Sequence, residues 1–218
     1  MKALDSSSRV FMSAAISYFG LTGFLTLTSL PCESSNSMTC LKDLCISDNN
    51  FNALRVPLHY RDFSPNFMEF STEGFELLDS LVAWGNRYNV YLILDMHAAP
   101  GAQNTSDFSD SELNGDSELF TSYTNQRWLA STWKHIANYY KSEPVIAGYD
   151  LLNEPARPGV ATTLRNIYEQ CIDSIRAVDQ NHMVIIEGNW YGNDHTGLFP
   201  PFDPNIVYSF HHYVGGIN

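Results

Sequence analysis

Short apolar runs alternate along this chain with longer stretches whose apolar positions recur every three or four residues. The runs at 52–57, 90–95, 145–152, 183–186 and 206–210 read as strands. Near-continuous apolarity is what a strand buried on both faces requires, as in a parallel sheet covered by helices. Pro57 is expected to halt the first of them, because proline donates no ladder hydrogen bond. The longer stretches read as helices. Over 72–87, Phe75, Leu78, Leu81 and Val82 share a face, with Ser71 or Thr72 as cap. Over 126–140 the face is Leu129, Trp133, Ile136 and Tyr140. Over 162–178 it is Leu164, Ile167, Tyr168, Cys171, Ile172, Ile175 and Val178, the most regular stripe in the chain. Leu41, Leu44, Cys45 and Phe51 suggest one more short helix, and 103–116, rich in Ser, Asp, Asn and Gly, reads as a long surface loop. Strand and helix in alternation place the chain in the α/β class with a parallel sheet.

Polar residues gather where these strands end: Arg55, His97, Asn153 with Glu154, Glu187 with Trp190, and His211 with Tyr213. Polar groups repeating at the carboxyl ends of successive strands are the mark of a barrel whose active site lies on that rim. The segment Gly148-Tyr149-Asp150-Leu151-Leu152-Asn153-Glu154-Pro155 is the centre of the pattern, an apolar strand running into a carboxylate and stopped by a proline. Read alone, Glu154 fits a helix-starting carboxylate as well as a catalytic one. Neither Gly-x-Gly-x-x-Gly nor the Walker pattern follows any strand, so a nucleotide cofactor is not expected, and no other cofactor is either.

With 218 residues, 44% hydrophobic and 17% charged, the chain has enough apolar surface for one cored domain. Its net charge of -12 argues against nucleic acid and anionic lipid as partners, while a neutral substrate is indifferent to that field. Cys32, Cys40, Cys45 and Cys171 fit no zinc spacing; a bridge among the first three and ordinary thiols are both open. The uncharged segment 10–31 follows Lys2 and Arg9, which suits a signal peptide or an atypical first strand. Residues 1–40 are therefore an uncertain amino-terminal segment and 41–218 a partial barrel domain. The signal-peptide reading carries a secreted location with it, and no stable membrane insertion is expected.

From about Leu41 to Tyr213 the motifs resemble glycoside hydrolase family 5, the cellulase-type retaining β-glycosidases. The resemblance rests on Asn52-Ala53-Leu54-Arg55-Val56-Pro57, Ile93-Leu94-Asp95-Met96-His97, the segment from Gly148 to Pro155, and the His-x-Tyr of His211-His212-Tyr213. It implies a TIM-type (β/α)8 barrel that hydrolyses β-glycosidic bonds with retention, acting on a polysaccharide or oligosaccharide. On that alignment Glu154 is the general acid and base, and Arg55 orients and charge-stabilises the nucleophile. His97 and His211 bind sugar hydroxyls, Asn153 bonds the 2-hydroxyl, and Tyr213 helps hold the nucleophile. The family's nucleophilic glutamate, on its seventh strand, and its stacking tryptophan, on its eighth, have no counterpart here. The resemblance thus implies an incomplete barrel of about six of eight units, a fragment with little or no turnover alone.

Retaining hydrolysis needs two carboxyl groups about 5–5.5 Å apart. Glu187 ends the strand beside that of Glu154, but reads more readily as a rim carboxylate in the loop before Trp190 than as the missing partner. Trp190, Trp128, Tyr60 and Tyr149 are aromatic candidates for stacking on sugars. Trp128 and Trp133 have the helical spacing of core residues, so only Trp190 is kept for a subsite. The loop 98–104 looks like that of endoglucanases and β-1,3-glucanases of the family and does not separate them. A rival class is a metal-dependent barrel hydrolase using Asp95, His97, His211 and His212, although the adjacent histidines would point to opposite faces of a strand. A third reading is a non-catalytic glycan-binding remnant. A six-strand open sheet would also leave two unpaired edges and favour self-association.

Overall fold

The computed structural model describes residues 24–26, 52–111 and 116–211. The elements are β1 (Phe24–Thr26), β2 (Ala53–His59), α1 (Tyr60–Phe63), α2 (Glu73–Tyr88), β3 (Tyr91–Ala98), α3 (Tyr123–Tyr140), β4 (Ile146–Asp150), α4 (Ala161–Arg176), β5 (Met183–Glu187), α5 (Asn189–Gly192) and β6 (Ile206–Ser209). All pairings are parallel, and the strands stand side by side in chain order from β1 to β6. A parallel sheet whose neighbours are consecutive never reverses direction of winding, which is the order of a (β/α) barrel and not of a doubly wound sheet. Among the described residues no strand pairs with the outer edge of β1 or of β6.

The strands are apolar because both faces are covered. Leu92, Leu94 and Met96 of β3 and Val184 and Ile186 of β5 are fully buried. The α4 stripe sinks Leu164, Ile167, Tyr168, Cys171, Ile172 and Ile175 into the same core, where α3 contributes Leu129, Trp133 and Ile136. Ser71, rather than Thr72, supplies the oxygen that accepts the Glu73 amide at 3.1 Å and starts α2. Gly148 lets β4 lie against β5: a methyl group there would sit 2.6 Å from the Met183 carbonyl oxygen.

Two expectations are corrected. Pro57 does not end its strand but pairs inside it with Asp95. The Asn52 carbonyl accepts from Tyr91 of β3, so alternation turns the Pro57 nitrogen to the opposite edge, where β1 has already ended at Arg55. Among the described residues the missing amide therefore costs no ladder bond. The segment 103–116 is not simply a surface loop either. Gln103, Asn104 and Ser109 are buried, and their side chains donate to the backbone carbonyls of His97, Asn153, Glu154, Asn104 and Ser106 under the rim. The suggested helix near Leu41, and Cys32, Cys40 and Cys45, lie outside the described residues. Cys171 is a buried free thiol, and burial pushes its pKa up. Among the described residues no helix is long and apolar enough to cross a membrane.

Candidate active site

Five consecutive strands deliver polar side chains to one end of the sheet, and Arg55 of β2 collects them. Its Nε donates to Asp150 Oδ2 at 2.8 Å, Nη1 to Asn153 Oδ1 at 3.1 Å and Nη2 to Glu187 Oε1 at 2.9 Å. Nη2 also lies 3.0 Å from Asp95 Oδ1. Burial works against the Arg55 charge, but Asp150, Asp95 and Glu187 outweigh it and hold the guanidinium proton more firmly than usual. Asp95 in turn fixes His97 through a 2.7 Å contact to Nδ1.

Glu154 stands above this cluster. Its φ is +49°, a left-handed conformation that side-chain-bearing residues adopt only when their surroundings compel it. Three contacts do so. The Glu154 amide donates to Glu187 Oε2 at 2.8 Å, and the Asn104 amide group donates to the Glu154 carbonyl at 2.9 Å. Gln103 ties the preceding carbonyl of Asn153, at 3.0 Å, to that of His97, at 2.7 Å. The Glu154 carboxylate meets His211 Nδ1 at 2.6 Å, while His211 Nε2 faces Glu187 Oε1 at 3.0 Å.

This balance of charge has a pH consequence. Burial opposes a proton on His211, but hydrogen bonds to Glu154 and Glu187 outweigh it and lift the pKa to about 10. The folded chain thus holds that proton more tightly than the unfolded chain. The resulting stabilisation is fully present below the ordinary histidine range, near 6.5, and is lost as pH rises through about 10. Asp150 is pushed up to about 8, by burial first and then by Glu187 and Asp95, with Arg55 pulling the other way. Its raised value disfavours the folded state progressively from pH 3.8 to about 8. Both groups act in one direction between pH 6.5 and 8, so the urea midpoint is expected to fall across that interval and on to pH 10. A midpoint that rises with pH there would contradict this charge arrangement.

The comparisons with known proteins bear on the family and the fold. The sequence profile of cellulase (glycosyl hydrolase family 5) matches residues 19–217. The chain belongs to glycosyl hydrolase family 5. The β-xylosidase of Phanerodontia chrysosporium is 32% identical over 166 residues, 74% of this chain and 34% of that protein. Endoglucanase C of Acetivibrio thermocellus is 30% identical over 172 residues, 77% of this chain and 48% of that protein. Endoglucanase Cel5A of Thermotoga maritima shares the fold, with a TM-score of 0.63 at 19% identity over 80% of this chain and 52% of its own. The chain thus spans between about a third and about a half of the length of these relatives.

Within this family 5 rim, Arg55, Asn153, Glu154 and His211 meet in one hydrogen-bonded cluster, and His97 joins it through Asp95. Trp190 is close by along the chain and 46% exposed. It and Tyr191 both have positive φ, and the Tyr191 amide donates to the Pro155 carbonyl at 3.1 Å, which pins this turn to the residue after Glu154. Tyr213 and His212 lie outside the described residues. Tyr60 and Tyr149 are buried and have no ring face for a sugar. Trp133 is core, its N–H donating to Leu151, and the N–H of Trp128 is spent on Ser64. Glu187 is not in a loop: it is the last residue of β5 and wholly buried, because Arg55 closes over it. Asp95 and His97 contact each other, and His211 lies between two glutamates. Among the described residues no three His, Cys, Asp or Glu side chains are grouped to hold a metal.

Sequence reasoning gives the undersides of the rim no positioning role: it weighs Asp95 only as a metal ligand and does not single out Asp150, Gln103 or Asn104 as site residues. Asp95, Asp150, Gln103 and Asn104 position the site and are fully or almost fully buried. The signal was there for the two aspartates: a charge inside an otherwise apolar strand has to be paired to be tolerated.

Proposed function

We propose that this chain carries the proton-donor half of a β-glucan hydrolase of the retaining type. Glu154 protonates the glycosidic oxygen and then, as carboxylate, takes the proton of the incoming water. The observation that carries this reading is the compelled left-handed backbone of Glu154 at the end of β4, against Arg55's cluster and in contact with His211. Asn153 has a buried side-chain amide nitrogen with no protein partner, and the family resemblance assigns it the bond to the sugar 2-hydroxyl. His97 supplies a further contact to hydroxyls, whereas both ring nitrogens of His211 face glutamates and orient the acid instead; Tyr213, by the family resemblance, helps hold the nucleophile. Arg55 keeps the anionic groups of the rim in register. Trp190 serves as a stacking platform, since a pyranose presents apolar C–H groups to an aromatic face.

The second carboxylate is the weak point. Among the described residues, Asp95, Asp150 and Glu187 lie beneath Arg55 and are 0%, 2% and 0% exposed, so none is open to a sugar beside Glu154. Slow turnover by this chain alone is therefore expected. The same burial favours, as the second reading, a rim that binds glycan without cleaving it. The named activities of the relatives, endoglucanase and β-xylosidase, support a β-linked glucan first and a xylan second. A polymer of that kind is met outside the cell, which suits secretion. Among the described residues no strand pairs with the outer edge of β6, beside exposed Phe199, Val207 and Phe210, and this favours self-association.

Soluble β-glucan hydrolysis followed by proton NMR tests the proposal. The β anomer should appear first. Initial release of the α anomer, which marks inversion, would overturn it, as would cleavage indifferent to Glu154→Gln. For the subsite, calorimetry on a cello-oligosaccharide is expected to show Trp190→Ala weakening binding by about 1 kcal/mol with the thermal midpoint unchanged. Unaltered affinity would remove Trp190 from the binding surface.

A further inference from the structure

Glu187 is, with Asp95, the least exposed ionisable group of the rim, and it bonds to Arg55, His211 and Glu154. Its side chain is wholly out of solvent, where an ionised carboxylate is tolerated only if it is richly hydrogen-bonded. Oε1 accepts from Arg55 Nη2 at 2.9 Å and faces His211 Nε2 at 3.0 Å, while Oε2 accepts the Glu154 amide at 2.8 Å. Its backbone is fixed as well. The Tyr168 hydroxyl donates to the Glu187 carbonyl at 2.8 Å and accepts the Glu187 amide at 3.3 Å. Tyr168 is itself buried in α4, so the carboxylate stands on the core rather than on a loop.

Two of these bonds end on the same residue by different routes. One captures the backbone amide of Glu154, which lies past the end of β4 and outside the strand ladder. The other holds the far side of the His211 ring, whose near side grips the Glu154 carboxylate at 2.6 Å. We propose that Glu187 is a positioning residue that acts through Glu154, fixing its main chain directly and its side chain by way of His211. The inference rests on the reading of Glu154 as proton donor only for its consequence in catalysis; the geometry it asserts is independent of that reading. The charged groups facing His211 are Glu154, Glu187 and Arg55, and the raised proton affinity of the ring agrees with its place between two carboxylates.

Amide hydrogen exchange by NMR on the full chain tests it, comparing wild type with Glu187→Gln and Glu187→Ala. The Glu154 amide is expected to exchange roughly tenfold faster or more in both variants, the loss of one charge-assisted hydrogen bond. The strand amides of Tyr149 and Ile185 should keep their wild-type rates. The titration midpoint of His211, followed with 15N-labelled histidine, should fall. A Glu154 amide that exchanges at the wild-type rate would overturn the proposal. So would a rise shared equally by Tyr149 and Ile185, which would mark Glu187 as a packing residue alone. Should neither variant fold, the wild type decides: a Glu154 amide exchanging as fast as an unprotected loop amide overturns the inference, and a protected one supports it. Indifference of hydrolysis to Glu154→Gln would instead sink the functional reading and leave these exchange rates as they are.

Discussion

Substituting Arg55 with methionine is expected to lower the folding stability of this chain by about 3–5 kcal/mol, the cost of breaking a buried ion pair from one side. The expectation follows from what the guanidinium faces. Asp95, Asp150 and Glu187 each lie within 3.0 Å of its nitrogens, and all three carboxylates are nearly or wholly buried. Methionine keeps most of the volume but none of the donors, so the three acids would have to take up protons, take in water or move apart. Urea denaturation at pH 7 measures the loss. The deficit should shrink at lower pH, where the acids become neutral without help. A midpoint close to wild type at pH 7 would show that the cluster contributes specificity of arrangement and not stability.

Glu154→Gln is expected to lower kcat/KM on β-glucan by roughly two to four orders of magnitude, the usual worth of a positioned general acid. The substitution keeps shape and leaves one oxygen for His211 but removes the transferable proton. The chain should still fold, because the Glu154 backbone is held by Glu187 and Asn104, but it should lose the part of its stability that the carboxylate provides by holding the proton on His211. A variant that no longer folds would point to a structural glutamate instead.

How much of this is visible in the sequence depends on what each residue does. Helices α2, α3 and α4 follow their apolar stripes to within a few residues, since burial of one face is the thing periodicity reports. The buried-type strands are legible for the same reason. Their order is legible through alternation with helices. Pro57 was misleading because its effect depends on which neighbour its nitrogen faces, and that is fixed by where β1 ends, far away in sequence. Gln103 and Asn104 look like loop residues because composition records polarity and not the carbonyls that a side chain will meet. Asn153, Glu154 and His211 are legible as site residues because each follows an apolar run, whereas Arg55, expected at a strand end, is the third of seven residues in β2. That Arg55 binds four of its neighbours at once is not legible, as only the sheet brings β2 to β5 together. The burial of Glu187 belongs to the same class: a residue at the end of a strand is open or sealed according to what closes over it.

The measurement that bears most directly on the proton-donor role is the dependence of the Glu154→Gln defect on the leaving group. An aryl β-glycoside with an acidic phenol departs without a proton, whereas a sugar hydroxyl does not. The loss in kcat/KM should therefore be large for the glucan and small for the aryl glycoside. Equal losses on the two substrates would contradict Glu154 as the acid.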